Sequence, residues 1–412
     1  MSMLADLLST VFERRYSAQT PDWDGAPMEE MCDALVSASG EVSGRHLAEQ
    51  ILGRFAALDD AGKLGFFTHL AGAMGIDPAA VRRTLDAYEA TPGKESYRAF
   101  TRAAEPLRQE LIRRLNQVPG ATAALVAMRA DLLRLGRGVP ELEALDLDFR
   151  HLFASWFNRG FLVLRPINWR SPAHLLEKII AYEAVHEIES WRDLRRRVEP
   201  ADRRCFAFFH PAMPDEPLIF VEVALTRGIP GAIAPLLAEA RAPLERGAAD
   251  TAVFYSISNC QAGLASISFG NSLIKQVAAD LAAEMPGLKT FVTLSPIPGL
   301  CKWQMGQGIE TAPTGALAAH YLLNAKRPQG DPVDPVARFH LGNGARIHGL
   351  HEGADMSDKG RAQSGGVMVN YLYDLRTLAQ THEAFASSYE IAATSEIRTM
   401  AAAGQKTLTQ GG

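Results

Sequence analysis

The chain has no apolar run approaching the roughly 20 residues of a membrane-spanning helix. It has no basic excess either. Its 412 residues carry 42 Lys and Arg against 47 Asp and Glu, a net charge of −5 with a pI near 6.1. That balance argues against nucleic acid as a partner. Cysteine is scarce: Cys32, Cys205, Cys260 and Cys301 lie far apart and form no metal-ligand spacing, which suits a reducing cytoplasm. No Gly-x-x-x-x-Gly-Lys nucleotide loop is present. At the start, Met1-Ser-Met-Leu-Ala-Asp-Leu-Leu8 puts no basic patch ahead of an apolar core. It also lacks the Arg/Ser-rich, acid-poor character of a mitochondrial presequence, and the closing Thr-Gln-Gly-Gly412 is not a peroxisomal tripeptide. The expectation is a cytoplasmic protein with no membrane span and no bound metal.

What is present is ordinary globular material, 47% hydrophobic and 22% charged, enough for two or three domains. Residues 1–158 read as a bundle of seven or eight helices. Leu47, Ile51, Phe55 and Leu58 share a helical face, as do Leu107, Leu111 and Leu115, and Leu125, Met128 and Leu132. Breaks fall at Thr91-Pro-Gly93, Val118-Pro-Gly120 and Gly136-Arg-Gly-Val-Pro140. No catalytic constellation appears in this stretch, so its expected work is support and self-association.

The pattern changes near Gly160, and residues 159–412 read as a second domain. Strand candidates are Phe161–Ile167, Cys205–Phe209, Leu218–Leu225, Ala252–Ser258 and Leu288–Leu294. Ser171 is read as an N-cap with Pro172 in the first turn, opening a helix with Leu175, Ile179 and Tyr182. A helix over Trp191–Val198 and another from about 269 to 284 complete the order β-α-α-β-β-β-α-β. The remainder to about 380 should finish the sheet. The Ala-, Thr- and Gln-rich end should hold at most a short helix and then fray. The fold class is α+β.

Two local patterns carry chemistry. Phe291-Val-Thr-Leu-Ser-Pro-Ile-Pro-Gly-Leu-Cys-Lys-Trp303 delivers Ser295 from a short apolar strand into a turn stiffened by Pro296 and Pro298. Such a strand end can hold a hydroxyl in fixed geometry; it also suits a plain Ser-Pro turn. Upstream, Phe254-Tyr-Ser-Ile-Ser258 leads through the Gly263-Leu-Ala265 loop to the helix after Phe269. Strand, small-residue loop and helix together are how a backbone cradles a pyrophosphate. Gly263, Leu264, Ala265, Ser266, Ser268 and Gly270 are therefore the candidate binding positions. Lys275 and Lys302 are candidate phosphate contacts, or solvated charges.

These words, with His210-Pro-Ala-Met-Pro-Asp-Glu-Pro217, Val223-Ala-Leu-Thr226, Phe339-His-Leu-Gly-Asn-Gly-Ala345 and Asn370-Tyr-Leu-Tyr373, resemble malonyl-CoA decarboxylase over roughly residues 160 to 380. The strand order is similar to the acyl-CoA-binding fold of GNAT-type acyltransferases, which that family shares in its catalytic part. The resemblance implies conversion of malonyl-CoA to acetyl-CoA and carbon dioxide through a thioester enolate. Coenzyme A is part of the substrate, and no further cofactor is implied. In the family the serine at Ser295, the histidine at His340 and the tyrosine at Tyr373 are site residues. His340 suits proton delivery, though a histidine beside a Gly-Asn-Gly turn also suits a structural role. Tyr371 is expected on the opposite side of the strand from Tyr373. Asn343 and Asn370 are weaker site candidates: Asn343 suits its turn as well as the substrate, and Asn370 suits a brace for Tyr373. His210 reads as structural, and His348 and His351 as surface residues. Animal members carry a glutamate where this chain has Ser268; Glu216 and Glu222 are the acidic residues left to consider. An acyltransferase of the same fold and a non-catalytic malonyl-CoA-binding protein stay open as alternatives. A dimer or tetramer is expected, and the choice between malonyl and methylmalonyl substrates stays open.

Overall fold

The computed structural model describes residues 23, 25–37, 41–245, 247–267, 273–309 and 312–410. Contacts divide the chain into two units. One holds Met1–Phe161 with Pro211–Pro214 and Gln261–Ser268; the other holds Leu162–His210, Asp215–Cys260 and Phe269–Gly412.

The first unit is helical throughout its described part. Eight helices run from Met28–Ser37 to Pro140–Trp156. Asp59 and Asp77 cap two of them by accepting from Gly62 N and Ala79 N. All three sequence breaks fall between helices. Leu47, Ile51, Phe55, Leu111, Leu115, Leu125, Met128 and Leu132 are buried as their spacing predicts. Leu107 and Leu58 are the exceptions: Leu107 opens its helix and stands exposed, and Leu58 follows the end of the helix Glu41–Ala57 and is half-buried. Phe55, Phe66 and Phe67 form an aromatic knot with ring centroids 5.3 to 6.2 Å apart. The helices Pro78–Ala90 and Lys94–Ala104 contain no buried residue.

The second unit is built on an eight-stranded mixed sheet. The strands are β1 (Val163–Ile167), β2 (Arg203–Phe209), β3 (Ile219–Thr226), β4 (Thr251–Asn259), β5 (Thr290–Thr293), β6 (Ser295–Pro296), β7 (Arg346–His351) and β8 (Met368–Leu372). The order is β1-β2-β3-β4-β5-β8-β6, with β7 also on β8. Among the described strands β4 and β5 pair in parallel and the other strand pairings are antiparallel. β3 is buried from Ile219 to Leu225, so both faces are covered and the strand reads as a continuous apolar run. The helices Ala173–Tyr182 and Trp191–Val198 supply Leu175, Leu176, Ile179, Leu194 and Val198 to one core. Val253, Tyr255, Val292, Leu294 and Met368 gather in another.

The expected strands and helices are found in order, with local corrections. Phe161 lies in a 3-10 turn and β1 starts at Val163. Pro172, not Ser171, precedes the next helix, without a side-chain cap; the Ser171 hydroxyl accepts from Asn168 N instead. The C-terminal part holds the helix Ser395–Gln410, longer than expected. Its Ala- and Gly-rich face allows close packing: a Cβ on Gly404 would come within 2.3 Å of Ala316 O on the helix Gly315–Asn324.

Candidate active site

Ser295 sits where the sheet opens. β4 and β5 pair from Thr251↔Thr290 to Phe254↔Thr293. β4 then continues to Asn259 alongside β3, while β5 stops. One residue later the chain changes neighbours, and Ser295 pairs with Val369 of β8. The serine is thus delivered to the point of splay.

His340 reaches it from the helix Pro335–Gly342. Asp334 caps that helix by accepting from Val336 N at 3.0 Å and Ala337 N at 2.9 Å, and Pro335 fills the first position. The Gly-Asn-Gly word is this helix's end rather than a free turn. Asn343 donates from Nδ2 to Phe339 O at 2.7 Å, and Gly344 takes φ +84° where a Cβ would strike Leu378 O at 2.4 Å. Asn343 therefore serves its own helix end. Tyr373 follows β8, anchored by its amide to Phe291 O at 2.8 Å.

The three side chains form one hydrogen-bonded chain. Ser295, His340 and Tyr373 are 5%, 2% and 1% exposed, so water does not set their protonation. Burial pushes the His340 pKa down to about 3, which leaves the imidazole neutral with a single N–H. Burial also holds the Tyr373 phenol well above its usual range, so it keeps its proton. Ser295 Oγ donates to Thr293 Oγ1 at 2.8 Å. Its one proton is then used, and the 3.2 Å contact with His340 Nε2 runs from the ring to the hydroxyl oxygen. Nδ1 must therefore accept, and Tyr373 O–H donates to it at 2.8 Å. The network assigns the Nε2–H tautomer. Donation runs from Tyr373 to His340, to Ser295, to Thr293.

Two members of this site were not singled out from sequence. Thr293 is fully buried, takes the Ser295 hydroxyl, and accepts from Tyr371 N at 3.1 Å. Period-two alternation in Val-Thr-Leu-Ser put it on the serine's side all along. Tyr371 stacks on the His340 ring at 4.5 Å and 24°. The expectation that Tyr371 faces away from Tyr373 is wrong: residues two apart on a strand share a face, and both tyrosines meet the imidazole.

Asn370 is fully buried and donates to Thr293 O at 2.8 Å, so it braces Thr293 rather than Tyr373. His351 is half-buried and bonds Asn370 Oδ1 through Nε2, and His348 is half-buried too; neither is the surface residue expected. Glu222 is sealed inside the sheet beside Arg197, 3.4 Å away, and burial followed by the Glu183 charge pushes its pKa up to about 8. Glu216 pairs with Lys178. Neither glutamate is hydrogen-bonded to Ser295 or His340 among the described residues.

Of the candidate anion loop, Gly263 and Leu264 lie in the 3-10 turn Ala262–Leu264, which groups with the helical unit. The amides of Leu264, Ala265 and Ile267 donate to Gln261 O, Ala262 O and Leu264 O within the turn. Ser266 follows at φ +63°, with its side chain exposed. Ser268 and Gly270 lie outside the described residues. Lys275 is half-buried and Lys302 exposed.

A helical unit and a mixed-sheet unit, with β4 and β5 parting beside a buried chain of hydroxyls and an imidazole, define an α+β protein with a sealed serine–histidine–tyrosine site. The model of the malonyl-CoA decarboxylase C-terminal domain matches residues 160–314 and 309–410, and that of the N-terminal domain residues 74–157. The mitochondrial malonyl-CoA decarboxylase of Mus musculus is 32% identical over 434 residues, covering 92% of this chain and 86% of its own. Crystal structures of malonyl-CoA decarboxylase from Rhodopseudomonas palustris and Agrobacterium vitis are each 48% identical, with TM-scores of 0.86 and 0.85. Each covers 90% of this chain, matching 98% and 99% of its own. This chain belongs to the malonyl-CoA decarboxylase family.

Proposed function

We propose that the chain converts malonyl-CoA to acetyl-CoA and carbon dioxide, with Ser295, His340 and Tyr373 as its site residues. The supporting observation is the buried donor chain from Tyr373 through His340 to Ser295. In the free enzyme the imidazole is neutral because it is desolvated. A malonyl carboxylate brought beside it favours the protonated form, so a proton from solvent enters with the substrate. As the C–C bond to the carboxylate breaks, carbon dioxide leaves and the bonding pair passes into the thioester as an enolate. Ser295 O–H, turned from Thr293, donates to the enolate oxygen, where preorganised donors have their largest effect. His340 gives its Nε2 proton to the new carbanion and returns to neutrality. Charge and proton count close: one carboxylate and one imidazolium become carbon dioxide, acetyl-CoA and neutral imidazole. The thioester is the electron sink, so the reaction needs no metal or organic cofactor.

Mass spectrometry of the products from malonyl-CoA tests the reading. Acetyl-CoA and carbon dioxide are expected. Transfer of the acyl group to an added amine, or a tight complex with unreacted substrate, would replace it with an acyltransferase or a binding protein. The helical part is assigned to support and to self-association in a homo-oligomer, to be read by light scattering. No helix among the described residues is long and apolar enough to cross a membrane. A cytoplasmic site of action is proposed from the widely spaced thiols, with cell fractionation as its test.

A further inference from the structure

We infer that Arg129 is a positioning residue for the phosphates of the acyl-CoA, acting through the backbone of the turn at Gly263–Ser266. This rests on the reading of malonyl-CoA as substrate. The turn is seated on one helix, Ala121–Leu135. Gly263 lies so close to it that a Cβ would fall 1.8 Å from Val126 O, so any side chain there would lift the turn. Arg129, one helical turn further on, is 1% exposed. Its Nη1 donates to Gly263 O at 2.7 Å and to Ala265 O at 2.9 Å, while Nε meets Asp146 Oδ1 at 2.8 Å.

A peptide group is planar, so a carbonyl fixed toward the helix turns its own amide the other way. The Gly263 carbonyl shares its plane with Leu264 N–H, which is already held by Gln261 O at 3.0 Å. The Ala265 carbonyl shares its plane with Ser266 N–H, which meets no backbone partner among the described residues. Arg129 therefore aims the Ser266 amide away from the helix. Ser266 itself is held at φ +63°, a left-handed conformation rare for a non-glycine residue. A main-chain amide that the turn's own bonds leave over is a donor that a phosphate oxygen can accept. Arg129 thus sends no charge to the phosphates; it spends its donors on two carbonyls and sets the direction of an amide. No local pattern signals this contact, because the arginine stands more than 130 positions before the carbonyls it holds.

The test compares malonyl-CoA with malonyl-pantetheine, which has the same reacting thioester but no pyrophosphate or nucleotide. For Arg129→Ala, KM for malonyl-CoA should rise about tenfold or more, the scale of losing hydrogen bonds from a charged donor. On malonyl-pantetheine the rise should be under about twofold, and kcat should change little on either. Arg129→Lys keeps the charge without the two-carbonyl fork and should fall between; it carries the comparison if the alanine variant does not fold. Equal penalties on both substrates, or none on either, would overturn the inference. A wild-type protein that turns over neither substrate sinks the substrate reading itself, and this inference with it.

Discussion

Tyr373→Phe removes the hydroxyl at the head of the donor chain and leaves the ring, which faces Phe254 and the His340 edge, in place. In the resting protein the change strands Nδ1 of a buried imidazole without its 2.8 Å donor. An unsatisfied buried acceptor costs about 1–3 kcal/mol, which should lower the melting temperature by several degrees. In turnover the loss falls on the protonated ring, whose Nδ1–H would have bonded the phenol oxygen. Hydrogen bonds to charged groups contribute about 1.5–3 kcal/mol. At about 1.4 kcal/mol per factor of ten, kcat should drop roughly 10- to 150-fold. KM should hardly move, because the hydroxyl's contact is with the imidazole. Steady-state decarboxylation, with carbon dioxide release and acetyl-CoA followed together, gives both constants. A variant within twofold of wild type in kcat would show that Tyr373 neither sets the tautomer nor supports the charged ring. A change confined to KM would make it a uniform binding group.

Ser295→Ala and His340→Asn should each lower kcat about a hundredfold or more while acyl-CoA still binds, as measured by calorimetry; weakened binding at unchanged kcat would contradict their roles. Exhaustive EDTA dialysis should leave activity intact, and a loss restored by a divalent ion would refute the cofactor-free scheme. Burial pushes the pKa of His340 down to about 3 and that of His186 to about 4, so below the ordinary 6.5 the unfolded chain binds more protons than the native one. Stability should therefore fall as pH drops through that window, by up to about 1.4 kcal/mol per unit for each histidine. His340→Asn should flatten the slope in urea melts, and an unchanged slope would rule the histidine out as its source. Removing residues 1–158 should give a poorly soluble protein, since Arg129 and Val126 would no longer seat the Gly263–Ser266 turn. A soluble, fully active remainder by light scattering and assay would refute that.

The strands were legible where apolar residues ran unbroken, as in β3 and β4. The site serine was legible as a strand end before two prolines. The helix carrying His340 was signalled by Asp334-Pro335, a cap and a first-turn proline, but the glycines of Gly342-Asn-Gly344 drew attention to a turn instead. The C-terminal helix was obscured because its packing face is alanine and glycine, which carry little hydrophobic signal yet permit the closest approach. Thr293 and Tyr371 were one alternation away from named residues. Arg129 could not be read at all, because its partners are main-chain carbonyls remote in sequence.

β5 and β8 share a single register pair, Val292↔Leu372, so the ladder there is almost bare. Thr293 supplies what the ladder lacks: its hydroxyl takes the Tyr371 amide, and its carbonyl takes the Asn370 side chain. The same hydroxyl receives Ser295. Cohesion of the two halves of the sheet and aim of the serine therefore depend on one residue. The usual opposition between robustness and turnover does not apply at this position. A replacement that loosens the seam also disarms the serine, and selection for either property protects both.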